Sequence, residues 1–267
     1  MIARGESTTR GSVLVTAVLA GVLMTLLSVP AFAQKGANSK ALLQKAEDHM
    51  RGKSFQARVK MEVVRDDDVR TMEIRLATRG ADRALIKILK PNKDKNAGNL
   101  RIDLNLWQFL PNVDRLIRVP SSMMLQSWMG SDLTNDDLVK VSSLARDYDS
   151  KIEKTENFEG NEAYKIICSP KPTAPVTWGK VIAWVRKPDG VPLKREFYSE
   201  KGELIKVFSG TDIKSFSGGH TMPTKWVMKN AKKPGALTRL EYTDIVFDKS
   251  IPESTFTQQN LRKPISE

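Results

Sequence analysis

The amino-acid sequence predicts a mainly β domain with few helices, built as one long antiparallel meander. From residue 55 almost to the end of the 267-residue chain, apolar and polar side chains alternate with the period of half-buried strands. Turn sequences rich in Gly, Asn, Asp and Pro separate these runs. Only one long stretch has the period of an amphipathic helix. No linker or repeat divides the strands, so residues 34–267 are predicted to form a single domain.

The first 33 residues have the features of a secretory signal peptide. Residues 13–29 are uncharged and mostly apolar, and Ala31-Phe32-Ala33 has the small-x-small pattern at which signal peptidase cleaves. We therefore predict cleavage between Ala33 and Gln34, which yields an exported, soluble protein. An uncleaved membrane anchor is the alternative. Because residue 34 is not Cys, the chain is not expected to be a lipid-anchored lipoprotein itself.

Residues 39–51 are predicted to form the one long helix. Asn38 supplies a side-chain oxygen at the N-cap, and Gly52 is suited to the conformation that ends a helix. One face of this helix is apolar and contains Leu42, Leu43, Ala46 and Met50.

Strands are predicted along most of the remaining chain. In the first half they cover residues 55–63, 72–76, 84–89 and 100–106. In the second half they cover residues 163–169, 178–187, 193–199, 204–216, 224–230 and 237–247. Between the two halves, a short helix is predicted to start at Thr134, whose hydroxyl can form a capping box with Asp137.

The predicted sheet has more apolar surface than the predicted helices can cover, and this uncovered surface suggests a function. About ten strands in one sheet curl strongly, and too few helices are predicted to cover the concave face. An apolar trough suits a lipid, because extracting a sixteen-carbon acyl chain from a bilayer requires roughly 12 kcal/mol of replacement burial. Two packed sheets, or a closed barrel filled with side chains, are the alternatives.

Charge and cysteine content narrow the range of partners. The formal net charge of +12 favours acidic partners such as phospholipid headgroups, although scattered charges also serve solubility. No compact Lys/Arg block with interleaved aromatics is present, so nucleic acid is not expected as a partner. Cys168 is the single cysteine, which excludes an intramolecular disulfide.

The sequence gives little support to catalysis. His49 and His220 are the two histidines, and no nucleophile elbow, phosphate-binding glycine loop or paired-cysteine metal motif is present. A site made of two carboxylates stays open, because carboxylates are plentiful. We therefore predict that the protein is not an enzyme and has no catalytic residues, no cofactor and no metal.

A segment rich in Trp and Met, residues 106–138, is the best candidate for a ligand site. Met adapts to irregular space, and loops on a rigid sheet often carry function. The predicted cavity wall and lid contain Trp107, Phe109, Met123, Met124, Leu125, Trp128 and Met129. Arg115 and Arg118 are candidates for contact with an anionic headgroup. The alternatives are that the apolar residues plug one end of a barrel and that the two arginines are solvated strand residues.

Several segments resemble the LolA-like family of periplasmic lipoprotein carriers, which includes proteins assigned to outer membrane lipoprotein sorting. The most specific are 106–111 (LWQFLP), 114–119 (DRLIRV), 128–133 (WMGSDL) and 136–138 (DDL), supported by 160–164, 222–226 and 251–256. The resemblance implies an unclosed, strongly curved antiparallel β-barrel with a helical lid over a hydrophobic cavity.

The same resemblance implies a soluble periplasmic carrier that binds the acyl chains of a lipoprotein or lipid. It would take this cargo from an inner-membrane transporter or permease to an outer-membrane acceptor, touching anionic membrane surfaces transiently. The alternative is a periplasmic protein-interaction or lipid-sensing module without transport activity. In the founding carriers a lid arginine helps to hold the closed state, and no motif places its counterpart in this sequence.

Overall fold

Thirteen antiparallel strands form one open sheet in the computed structural model, which describes residues 37–66, 68–139, 143–174 and 176–265. The predicted signal peptide, residues 1–33, lies outside the described residues. Within the described ranges, no helix has the length and apolar character needed to cross a membrane. The predicted mainly β class and unclosed sheet are confirmed, with thirteen strands rather than about ten.

The sheet consists of two meanders that meet at the first and last strands. The strands are β1 (Ser54–Arg65), β2 (Asp68–Arg79), β3 (Arg83–Lys90), β4 (Gly98–Ile102), β5 (Asn105–Leu110), β6 (Arg115–Arg118), β7 (Tyr148–Phe158), β8 (Asn161–Pro170), β9 (Lys180–Arg186), β10 (Pro192–Tyr198), β11 (Leu204–Ser215), β12 (Thr221–Asn230) and β13 (Leu237–Phe247). Their spatial order is β6-β5-β4-β3-β2-β1-β13-β12-β11-β10-β9-β8-β7. The edges β6 and β7 do not pair with each other, so the sheet stays unclosed.

The long helix α1 (Ser39–Arg51) has the predicted ends. The Asn38 side chain accepts a hydrogen bond from the Ala41 amide (3.1 Å), and Gly52 has a φ of 56° that favours glycine. The described residues also contain three shorter α-helices and six short 3-10 helices; the α-helices are α2 (Asn135–Val139), α3 (Leu144–Asp147) and α4 (Gln258–Arg262). Leu43 and Ala46 of α1 pack with α3 against the concave side of β8 and β9.

Strand alternation separates a concave face from a convex face. Met61 of β1 lies opposite Met72 of β2 and Leu240 of β13, and all three belong to the buried cluster on the concave face. On the convex face, the carboxyl-terminal segment packs Phe256 and Leu261 over β3, β4 and β5. Burying one face while solvating most of the other fixes the register, because a one-residue slip would exchange the two faces.

The prediction of one strand over residues 100–106 was wrong. The chain reverses between β4 and β5, where Asp103 has a φ of 53° and the Leu104 side chain is 69 % exposed. Aspartate tolerates this left-handed conformation better than most residues. Ile102, Leu104 and Leu106 alternate with polar residues in the sequence, but in the structure the turn interrupts this alternation. In space, Leu104 lies at the tip of a hairpin.

Strand β7 was not predicted, because its sequence lacks a clear apolar alternation. It lies at the edge of the sheet, and most of its side chains are exposed or half-buried. An edge strand pairs on one side only, and β7 is held by backbone hydrogen bonds to β8 and by Tyr148 and Ile152, which pack in the cluster under α1. The short helix predicted at Thr134 is confirmed: the Thr134 amide donates to Asp137 Oδ2 (2.8 Å), and the Asp137 amide donates to Thr134 Oγ1 (3.2 Å).

We expect the Cys168 thiol to be unreactive in the folded protein. Its side chain is fully buried under α1, and burial raises the pKa of the thiol to about 12. Labelling with a thiol reagent at pH 8 should therefore occur only at the rate of unfolding and become fast in urea. Lys201→Cys places a thiol in an exposed turn and is the control that should react at once. Equal native labelling rates for both positions would contradict this burial.

Candidate functional site

The floor of the candidate site is the concave face of the sheet between β10 and β1. Register pairing places Phe208 of β11 next to Met228 of β12, and Met61 of β1 next to Leu240 of β13. Tyr242 continues this surface, and burial raises the pKa of its phenol to about 12. The floor is therefore apolar, with a neutral hydroxyl among hydrocarbon and aromatic groups.

Residues 119–139, called here the lid segment, cross this concave face. Trp128 is a large buried residue of this segment, with 3 % of its surface exposed. It packs in the same cluster as Ile88 and Trp226, together with Met129, Leu133 and Leu138 of the lid segment. Trp128 Nε1 donates to Asn99 Oδ1 (2.8 Å), so its one polar atom is satisfied inside the core.

Asp132 anchors the lid segment to the sheet through an arginine and a threonine. Arg65 donates through both terminal nitrogens to Asp132 (3.0 and 3.1 Å) and to the Gly130 carbonyl (2.9 Å). Thr238 Oγ1 accepts from the Asp132 amide (2.9 Å) and donates to Asp132 Oδ2 (2.8 Å). The bidentate geometry orients the Asp132 carboxylate and satisfies it although it is almost fully buried. Arg65, which binds Asp132 of the lid segment, thus belongs to strand β1 of the sheet.

A second charged contact holds α2 against the sheet. Lys206 Nζ of β11 lies 2.6 Å from both carboxylate oxygens of Asp137, and the lysine side chain is almost fully buried. The same ammonium lies 4.7 Å from the centre of the Trp178 ring and 5.0 Å from that of Phe197. A nearby link joins Thr177 Oγ1 to Asp136 Oδ2 (3.0 Å). Polar contacts therefore fasten both ends of the region from Asp132 to α2.

A cavity of about 280 Å³ remains between α1, the lid segment and the sheet. Its walls are formed by Arg51, Leu133, Asp136, Asp137, Leu138, Val176, Thr177, Trp178, Arg195, Phe197, Phe208, Met228, Leu240 and Tyr242. The volume is close to the lower end of the range of about 300–1,000 Å³ for small-molecule sites. The concave face is thus partly filled by the lid segment and partly left open.

The residues predicted for one cavity wall divide between the two faces of the sheet. Trp107 lies opposite Leu100, and both pack with Phe109 beneath the carboxyl-terminal segment on the convex face. Trp128 and Met129 lie on the other face, where Trp128 bonds to Asn99. The structure therefore does not bring Trp107 and Phe109 together with Trp128, because side chains alternate along β5 and these two lie on the convex face.

The other predicted residues lie toward the β5–β6 edge of the sheet. Met124 packs on Leu106 and Val119, whereas Met123 and Leu125 are exposed. Arg115 and Arg118 are exposed on the edge strand β6, and Arg118 donates a hydrogen bond to the Asn105 side chain. Their role in headgroup contact stays a prediction.

Sequence reasoning missed the cavity residues of the second meander. Phe197, Phe208, Met228 and Trp178 were placed in predicted strands without being assigned to the cavity. Their parity could have grouped them, because Phe197, Phe208 and Met228 share the concave face once the register of β10, β11 and β12 is known. The sequence alone did not supply that register. In the described ranges, no group of three or more His, Cys, Asp or Glu residues is arranged to hold a metal ion.

An open antiparallel sheet with a lid segment over a concave cavity defines the class of fold, and comparisons with known proteins extend this result. A family model described as "uncharacterized protein" matches residues 80–263, more than half of the chain. The chain therefore belongs to that family. A search of curated proteins found no match.

Solved structures share the fold over nearly their whole length. A DUF1329 family protein from Desulfovibrio piger has a TM-score of 0.77 at 20 % identity, covering 83 % of this chain and 97 % of that one. A domain from Vibrio parahaemolyticus assigned to outer membrane lipoprotein sorting has a TM-score of 0.73 at 22 % identity, with coverages of 85 % and 100 %. A LolA superfamily protein from Nitrosomonas europaea has a TM-score of 0.70 at 24 % identity, with coverages of 84 % and 99 %. The predicted LolA-like fold is confirmed.

We expect Lys206 and Asp137 to be energetically coupled. Removing one partner leaves the other charge unpaired in a largely buried site, whereas removing both leaves neither. Urea unfolding of Lys206→Met, Asp137→Asn and the double variant should give a coupling free energy of about 1–3 kcal/mol.

The exposed pair Lys232–Glu203, with an N–O distance of 2.7 Å, is the matched control. Its coupling should lie within about 0.5 kcal/mol of zero, as is usual for solvated ion pairs. A Lys206–Asp137 coupling no larger than this control would mean that the contact does not hold the lid segment.

Proposed function

We propose that the protein is a periplasmic carrier that binds acylated cargo between the lid segment and the concave face of the sheet. The observation that carries the proposal is the cavity of about 280 Å³, whose floor is apolar and whose roof is a separate segment of the chain. An acyl chain placed there would replace bilayer contacts with contacts to Phe208, Met228 and Leu240. Each buried methylene is worth on the order of 0.8 kcal/mol.

The lid segment supplies the movement that such a carrier requires. A cavity this small accommodates part of a long acyl chain, so full binding requires displacement of α2 or of the Trp128 region. The fastening contacts are suited to this, because Lys206–Asp137 and Arg65–Asp132 can exchange protein partners for water at modest net cost. We propose that cargo binds by opening this region while the sheet keeps its register.

Export and membrane contact belong to the same proposal. The predicted signal peptide would deliver the protein to the periplasm, where an inner-membrane transporter would load it and an outer-membrane acceptor would unload it. The net charge of +12 and the exposed Arg115 and Arg118 favour transient contact with anionic lipid surfaces. The named role of the Vibrio domain in lipoprotein sorting is consistent with this proposal. We propose no catalytic step, and no cofactor or metal.

We expect the protein to copurify with an acyl-bearing ligand. The full chain, expressed with its leader and purified from the periplasm without detergent, should show one bound lipid or acylated peptide in native mass spectrometry. Lipid extraction of the same sample would identify the ligand. A spectrum that contains only the bare polypeptide would count against the carrier. A partner protein crosslinked over an empty cavity would instead favour an interaction or sensing module.

We expect Leu138→Trp to reduce ligand binding by filling the cavity from its lid side. Leu138 lines the cavity and packs against the concave cluster. The larger side chain would occupy ligand space at a cost in stability of about 1–3 kcal/mol. Displacement of a fluorescent fatty acid would measure binding, and urea unfolding would measure stability.

Leu104→Trp is the matched control, because Leu104 lies at the exposed tip of the β4–β5 hairpin. It makes the same substitution outside the cavity and should leave binding unchanged. If Leu138→Trp binds as well as the control variant, ligand does not occupy this cavity.

A further inference from the structure

Two arginines form part of the cavity wall. Arg51 is the last residue of α1, and Arg195 lies on β10. Register pairing places Arg195 opposite Ala183 on one side and Phe208 on the other, and both of these residues belong to concave-face clusters. Arg195 is therefore on the same face as the apolar floor, and both arginines lie beside the space that cargo would fill.

Neither guanidinium has a fixed partner among the described residues. Arg51 and Arg195 make no hydrogen bond there and have no carboxylate within ion-pairing distance. The basic residues that fasten the lid segment differ in this respect, because Arg65 is paired with Asp132 and Lys206 with Asp137. Among the described residues, these two cations of the cavity wall thus have no ion-pair partner.

The acidic groups around these arginines are already engaged. Glu47 Oε1 accepts from the Ala145 amide (3.3 Å), and Asp48 Oδ1 accepts from Gln44 Nε2 (3.0 Å). In the cavity wall, Asp136 accepts from Thr177, and Asp137 is held by Lys206. A ligand anion would therefore not have to displace an existing ion pair to reach Arg51 or Arg195.

Burial and two neighbouring guanidiniums act against the charged form of Arg51. Burial lowers the pKa of Arg51, and the nearby positive charges of Arg195 and Arg146 lower it further, against the opposing effect of Glu47 and Asp48. Arginine nevertheless stays protonated at neutral pH. Two partly desolvated guanidiniums on one cavity gain most from a shared carboxylate or phosphate, which arginine binds through paired N–H donors.

We propose that the cavity selects an amphipathic anion, with its carboxylate or phosphate bound by Arg51 and Arg195 and its acyl chain on the apolar floor. The floor extends from Arg195 on β10 through Phe208 and Met228 to Leu240 on β13. Three strand spacings cover about 14 Å. The headgroup lies at the α1 end, and the chain runs across the strands toward β1. This inference rests on the proposed carrier function and specifies its ligand.

Three sixteen-carbon probes test the inference with the delipidated protein purified from the periplasm: palmitate, hexadecyl phosphate and hexadecanol. The three probes have the same chain length and differ only in the headgroup, which is a carboxylate, a phosphate or an uncharged hydroxyl. We expect at least one of the two anions to bind about tenfold more tightly than hexadecanol, a difference that competition with a fluorescent fatty acid resolves. The ratio between palmitate and hexadecyl phosphate then distinguishes a carboxylate from a phosphate source.

The variant Arg51→Gln/Arg195→Gln should lose this preference and bind hexadecanol as the wild type does. Its matched control is Arg58→Gln/Arg239→Gln, which removes the same charge from exposed positions on the convex side. Arg195→Lys keeps the charge without the paired donors and should retain part of the preference. Urea unfolding of each variant separates loss of binding from loss of fold.

The possible outcomes separate this inference from the carrier proposal. Equal affinity for all three probes in the wild type overturns the inference and leaves the carrier intact. A preference for anions that survives in Arg51→Gln/Arg195→Gln also overturns it, because the selecting groups are then elsewhere. Failure to bind any probe, together with absence of copurified lipid, overturns both. If the double variant does not fold, the affinities of the wild type and of Arg195→Lys for the three probes still test whether the cavity prefers anions.

Discussion

The pairing of β1 with β13 is the constraint on which the rest of the structure depends. It joins the first strand to the last, so that two meanders become one sheet. Met61 opposite Leu240 fixes this pairing within the concave cluster, and β13 in turn fixes β12 and the second meander. Without this contact, each meander would have an exposed apolar face and an additional open edge. With it, a single concave surface runs from β3 to β10 and supplies the floor of the cavity.

The lid segment is held in a way that differs from the packing of the sheet. Trp128 packs in the concave cluster together with Met129, Leu133 and Leu138, and the ion pairs Arg65–Asp132 and Lys206–Asp137 join the segment to the strands. Apolar packing resists separation in proportion to the area exposed, whereas a buried ion pair has a small net free energy because the cost of desolvating both charges offsets most of their attraction. The sheet is therefore suited to stay fixed while α2 moves.

Local features of the sequence were predicted well because local interactions produce them. Asn38 and Gly52 cap the two ends of α1 as expected, and Thr134 with Asp137 caps the start of α2. Strand β7 and the β4–β5 turn were missed for opposite reasons. The edge strand has little apolar alternation to indicate a strand, whereas the apolar residues around Leu104 alternate as in a strand although they form a turn. The residues predicted for the candidate site divide between the two faces, and their role in ligand binding stays a prediction: Trp128 and Met129 lie on the concave face, whereas Trp107 and Phe109 lie on the convex one.

The sequence by itself determined the mainly β class, the ends of α1 and the apolar alternation of most strands, since each depends on residues a few positions apart. The tertiary structure decided which face of each strand became the floor, because parity acquires meaning only when a strand pairs with its neighbours. It also decided the contacts of the lid segment, in which Lys206 and Asp137 meet across 69 positions and Arg65 and Asp132 across 67. Such pairs leave no local pattern, because chain folding rather than spacing brings the charges together.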